Sequence, residues 1–109
     1  METSAPNQPD QKIFSAATPT LKTATRDGTA IVVKGDQLVD TSGCKDSSTA
    51  LSFKFVAASA GATPTLLTIT KYDSSEQVTL GVPAGKTVAP PGKVHVFQGP
   101  TDKSPADLK

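Results

Sequence analysis

The amino-acid sequence predicts a small all-β protein: an antiparallel β-sandwich or barrel of six to eight short strands, with extended N- and C-terminal arms. Short runs rich in Thr, Val, Ile and Phe alternate between apolar and polar side chains, which is typical of half-buried strands. Turn signals containing Gly, Pro or Asp recur about every ten residues, as they do in sandwiches and small barrels. No stretch keeps apolar side chains at helical spacing over several turns.

The strongest hairpin signal lies near the start of the predicted domain. Residues 20–25 and residues 29–34 are two strand-like runs, and the second is rich in β-branched side chains. Asp27-Gly28 stands between them, and this dipeptide is typical of a tight turn between antiparallel strands. We therefore expect these two runs to pair with each other.

Four further runs complete the predicted strands: residues 51–55, 65–72, 76–80 and 93–97. The alternation is clearest in the first of them, where Leu51, Phe53 and Phe55 share one face and Lys54 lies on the other. Period-two alternation places eleven apolar side chains in one core. These are Leu51, Phe53, Phe55, Leu67, Ile69, Val78, Leu80, Ile31, Val33, Val94 and Val96.

Both ends of the chain are polar and rich in proline. We expect residues 1–19 to form an extended arm, residues 20–99 the β domain, and residues 100–109 a C-terminal tail. Ile13 and Phe14 are the large apolar side chains of the arm after Met1, so we expect them to bind a partner chain, with Pro9 and Pro19 restricting the backbone. Phe14 packing on its own domain, as part of a first strand, stays an equal alternative.

Composition excludes several kinds of chemistry. With one His, one Cys and a net charge of +1, the chain cannot build a site from clustered His or Cys ligands, and we expect no metal and no cofactor. The 11 basic residues are spread over the chain, so we expect no nucleic-acid partner. No secretory signal and no apolar run of membrane-spanning length occurs, which predicts cytoplasmic synthesis and no membrane partner.

Two features come close to known catalytic motifs. The run from Gly81 to Thr87 is similar to a phosphate-binding loop, but it has three residues between its glycines where the motif has four. His95 lies in a predicted strand with Asp102 nearby in sequence, yet no nucleophile elbow accompanies it. We therefore predict a turn at the first feature, a half-exposed sheet histidine at the second, and a protein that is not an enzyme. A small hydrolase using His95 is the competing hypothesis.

The Thr/Ser/Pro-rich strands, the two arms and the turn at residues 82–87 together resemble small all-β accessory proteins of bacteriophage virions. These are the capsid decoration or cement proteins. The resemblance implies a structural virion protein, made in the host cytoplasm, that binds and stabilises a capsid lattice. It also implies a homo-oligomer whose partners are the major capsid protein and copies of itself.

Two other functions stay open. One is a ligand- or carbohydrate-binding β-sandwich module of the adhesin type, which predicts a concave site lined by acids and by Tyr72 or Phe97. The other is a penton or head–tail connecting subunit, which would use the same domain at a symmetry axis.

Overall fold

The computed structural model describes residues 13–15, 17–38 and 47–109. Within these ranges the chain forms eight strands and a single 3₁₀ turn, Ser47–Thr49. The strands are β1 (Ile13–Phe14), β2 (Thr20–Asp27), β3 (Ala30–Asp36), β4 (Ala50–Ala57), β5 (Thr65–Ser74), β6 (Gln77–Gly81), β7 (Gly92–Gln98) and β8 (Thr101–Asp107). The predicted all-β, antiparallel fold class is confirmed. The described ranges contain no helix of the length and apolarity that a membrane crossing requires.

Seven strands follow one another through hydrogen-bonded pairs in the order β2-β3-β6-β5-β4-β7-β8, and every pair in this path is antiparallel. β5 joins the two parts of this path, β2-β3-β6 on one side and β4-β7-β8 on the other. Its first half pairs with β4, for example Leu67 with Phe53, and its second half pairs with β6, for example Ile69 with Leu80. The sheet therefore bends at β5 and folds over one core.

The predicted β2–β3 hairpin is confirmed. Asp27 pairs with Ala30, and the two residues between them form the turn. Gly28 has φ +66°, a left-handed conformation that glycine adopts without steric cost. The local turn chemistry therefore fixes this pairing, as the sequence indicates.

A short parallel seam between β2 and β8 nearly closes the sheet into a barrel. The Lys109 amide donates to the Ala24 carbonyl at 2.9 Å, and Ala24 and Leu108 form a parallel bridge. Farther along the seam, the Leu21 amide donates to Ser104 Oγ at 3.2 Å, so a side chain replaces a backbone bond there. The seam covers part of the β2 and β8 edges, which would otherwise be open to pairing with other chains.

β8 corrects the prediction that residues 100–109 are a tail outside the domain. Ala106 and Leu108, both 5% exposed or less, point into the core, while the strand pairs with β7 along its length. The segment has too few large apolar side chains to read as a strand by itself. It becomes one because β7 offers an unpaired edge and β2 offers the seam.

The predicted core is confirmed, since all eleven of its side chains are buried. Phe53, Val33, Val78 and Val94 are among those with no exposed surface. Further apolar residues complete the core, and these are Ile13, Leu21, Ala24, Leu38, Val88, Ala106 and Leu108.

The beginning of the described chain is part of the domain, which corrects the predicted arm of residues 1–19. Ile13 pairs with Leu51 of β4 and is fully buried, and Ser15 and Pro19 are buried after it. The Gln98 side-chain amide donates to the carbonyl of Ser15 at 2.7 Å, which fixes the segment to the end of β7. Residues 1–12, with Pro9, lie outside the described residues.

Candidate functional site

The outward side of the β5–β4–β7–β8 half of the barrel carries the candidate site. Because Phe53 and Phe55 of β4 point into the core, Lys54 between them points outward. One row crosses all four strands in register: Leu66 pairs with Lys54, Lys54 with His95, and His95 with Pro105. We call this side the outer face and define it by Leu66, Lys54, Val56, Lys93, His95, Phe97, Asp102, Pro105 and Asp107.

Leu66 is the most conspicuous apolar residue of the outer face. The residue is 59% exposed, and it is the large hydrophobic residue among those described that is exposed to solvent. It follows from the pattern of β5, where Leu66 and Leu67 are adjacent and so must point to opposite sides of the sheet. This doublet was a visible signal that the sequence prediction did not use.

His95 and Asp102 form a side-chain pair across β7 and β8. Nδ1 of His95 lies 2.9 Å from Oδ2 of Asp102, with side-chain exposures of 19% and 47%. A shift in the strand register opposite Phe97 brings Asp102 alongside the histidine. The carboxylate orients the imidazole ring. The described residues join this ring to an acid but to no hydroxyl group, so they assemble two of the three parts of a hydrolase triad.

A second pair lies at the other end of the same two strands. Lys93 and Asp107 are register partners, and Nζ donates to Oδ1 at 2.5 Å. The hydrogen bond from Lys93, and then its positive charge, hold the pKa of Asp107 below its ordinary value of 3.8. Both side chains are more than half exposed, so this pair adds little to stability in salt.

Lys54 lies at the centre of the outer face. Its Nζ lies over the Phe97 ring, 4.6 Å from the ring centroid, where the face of the aromatic ring attracts a cation. No carboxylate among the described residues forms an ion pair with Lys54. The middle of the face therefore carries a positive charge whose acid partner the described domain does not supply.

An open hollow of about 330 Å³ lies beside these pairs, between the end of β4 and the start of β7. Small and apolar residues form its walls, and charged groups form its rim. Gly92 cannot be larger, because a Cβ there would lie 2.4 Å from the Phe55 ring. The residues around the hollow are Val56, Ala57, Ala58, Pro91, Gly92, Lys93, His95 and Asp107.

The predicted partner-binding residues differ in how far the structure exposes them. Ile13 and Pro19 are enclosed by their own domain, which corrects their assignment as partner contacts, because no part of either side chain reaches the surface. Phe14 is half-buried in β1, as the alternative prediction had it. Pro9 lies outside the described residues.

The turn similar to a phosphate-binding loop is a turn, as predicted. The Lys86 amide donates to the Pro83 carbonyl at 3.2 Å, and Gly85 has φ +78°. No helix follows it, and Val88 goes into the core. The described residues also contain no group of three or more His, Cys, Asp or Glu side chains placed to hold a metal ion. Cys44 lies outside them.

Comparison with protein-family models, with curated proteins and with solved structures finds no match to this chain.

Proposed function

We propose that this protein is a structural accessory protein of a virion, which binds and stabilises a capsid lattice and is not an enzyme. The observation that supports the proposal most is the attachment of residues 13–17 to the barrel. Ile13 is fixed in the core, and Gln98 holds the backbone of Ser15 and Ala17 at 2.7 and 2.8 Å. The Pro-rich residues 1–12 are therefore attached to a fixed point on a nearly closed barrel.

Such an attachment suits binding to a lattice of protein subunits. Prolines such as Pro6 and Pro9 in a sequence lower the conformational entropy that a segment loses on binding another chain. The nearly closed barrel around one core also has few backbone groups left to order on binding. A linked segment and domain that bind two places on one lattice bind more tightly than either does alone.

The experiment compares lattice occupancy of the full chain and of a chain lacking residues 1–11. Residues from Ile13 onward are kept because removing them would open the core. Gradient-purified particles stripped of the protein are mixed with each form and sedimented again. We expect the shortened protein to fold normally, by circular dichroism and thermal melting, and to lose most of its occupancy. Undiminished occupancy would contradict the proposal.

One observation favours a ligand-binding module as the second candidate. The hollow beside His95 has the size of a small ligand site, and Asp107 lies at its rim. Neither Tyr72 nor Phe97 lines it, unlike the concave site predicted for a carbohydrate module. Glycan-array binding that is lost on Asp107→Ala, with no particle association of the natural protein, would favour this second function.

A further inference from the structure

The outer face carries a projection and a hollow side by side. Leu66 projects from β5 opposite Lys54 of β4, and the hollow begins two residues farther along β4, at Val56. Its volume of about 330 Å³ equals that of roughly ten waters at about 30 Å³ each, which is ample for a leucine side chain. A surface that holds both a projection and its receptor can bind a second copy of itself about a two-fold axis.

We propose that two copies of this chain associate through their outer faces, with Leu66 of each seated in the hollow of the other. Burial of Leu66 removes the exposed apolar side chain of the described domain from water. In a two-fold dimer every contact occurs twice, so one substitution in the chain removes two contacts from the interface. This association goes beyond the proposed function and requires no lattice.

Charge complementarity supports the same arrangement. Lys54 is the register neighbour of Leu66 and has no acid partner among the described residues. Asp107 lies on the rim of the hollow, where its Oδ1 accepts from Lys93. Its other oxygen is open to a second cation, since the side chain is 66% exposed. Because Asp107 lines the hollow, seating Leu66 brings Lys54 of one copy to the part of the other copy where Asp107 and its partner Lys93 lie.

The size of the face sets the strength of the association. Four strands about 4.8 Å apart, with about seven residues at 3.3 Å each, cover roughly 440 Å² in projection. A standard stable interface buries about 800 Å² on each partner. We therefore expect a weak pair that forms as the protein concentration rises, rather than a permanent dimer.

The test is sedimentation velocity on the purified full chain from about 10 µM to 1 mM, in low salt. The average mass of the wild type should rise from 11.2 kDa toward twice that value. Leu66→Asp places a charge in the hollow, and Ala58→Arg fills the hollow from its rim. Both should weaken association at least tenfold, while Thr25→Asp, at an exposed position on β2, should behave as the wild type.

Exchanging the charges of Lys54 and Asp107 distinguishes this specific contact from nonspecific association. Lys54→Glu and Asp107→Lys should each weaken association, and the two together in one chain should restore much of it. Circular dichroism confirms that each variant is folded. A wild type that stays monomeric at 1 mM, a Leu66→Asp protein that associates as well as the wild type, or growth beyond a dimer would overturn the proposal. None of these results alters the lattice occupancy measured with residues 1–11 removed, so the two proposals fail separately.

Discussion

Replacing Phe53 by alanine tests the packing of the barrel most severely. Phe53 is fully buried in the middle of β4, where Leu67 of β5 and Val96 of β7 are its register partners. Burial of a Phe side chain contributes about 1.5–3 kcal/mol. Removing the ring leaves a cavity that a hydrogen-bonded sheet collapses to fill only in part, which raises the expected loss to about 3–5 kcal/mol. A domain of this size has a total stability of about 5–15 kcal/mol.

The assay is equilibrium unfolding in urea, followed by circular dichroism in the far ultraviolet, because the chain has no tryptophan. Leu66→Ala is the matched control, since it removes an apolar side chain from the neighbouring strand that is 59% exposed. We expect that control to change the free energy of unfolding by less than about 0.5 kcal/mol. A loss below about 1 kcal/mol for Phe53→Ala, or equal losses for both variants, would refute the assigned strand faces.

Three other changes test separate parts of the structure. Gly35→Ala should destabilise by about 1–3 kcal/mol, because its Cβ would lie 1.9 Å from the Thr20 carbonyl oxygen; an unchanged urea midpoint would show that β2 and β3 are farther apart. Ser104→Ala should cost about 1–3 kcal/mol by leaving the Leu21 amide without its acceptor at the seam, and faster amide hydrogen exchange at Leu21 should accompany the loss. Since the folded-state pKa of Asp107 is lowered, its small contribution to stability is present above pH 3.8 and lost as the pH falls through the folded value. Melting curves of the wild type and Asp107→Asn should therefore differ at neutral pH and converge in acid, and a difference that grows in acid would contradict the assigned pair.

The sequence predicts those elements whose signals are local. In β4, the alternation of Leu51, Phe53 and Phe55 identifies both the strand and its buried face, and the structure confirms both. Asp27-Gly28 likewise predicts its hairpin, because a left-handed glycine in a two-residue turn is a property of the chain nearby.

The elements that the sequence prediction missed depend on distant contacts. β8 has Ala106 as its one buried apolar side chain, with Leu108 buried just after the strand ends. The strand is held by Ser104, which contacts Leu21 from 83 positions away in sequence. The prediction placed Ile13 in an arm because it could not show that the start of β4 has an open edge for β1.

The candidate site was also predictable from the sequence only in part. Asp102 was visible near His95 in sequence, although only the register of β7 and β8 shows that they are 2.9 Å apart. The hollow was not predictable, because it forms where the end of β4 approaches the start of β7 and Gly92 allows Phe55 to approach. Such a cavity has no pattern along the chain.

The function we propose for this protein is a structural role in a capsid lattice. The most direct measurement is its copy number in particles purified from the source on a density gradient, by quantitative mass spectrometry of each fraction. We expect the chain to sediment with the lattice protein at one constant ratio across the particle peak. A chain that stays at the top of the gradient, free of particles, would contradict it.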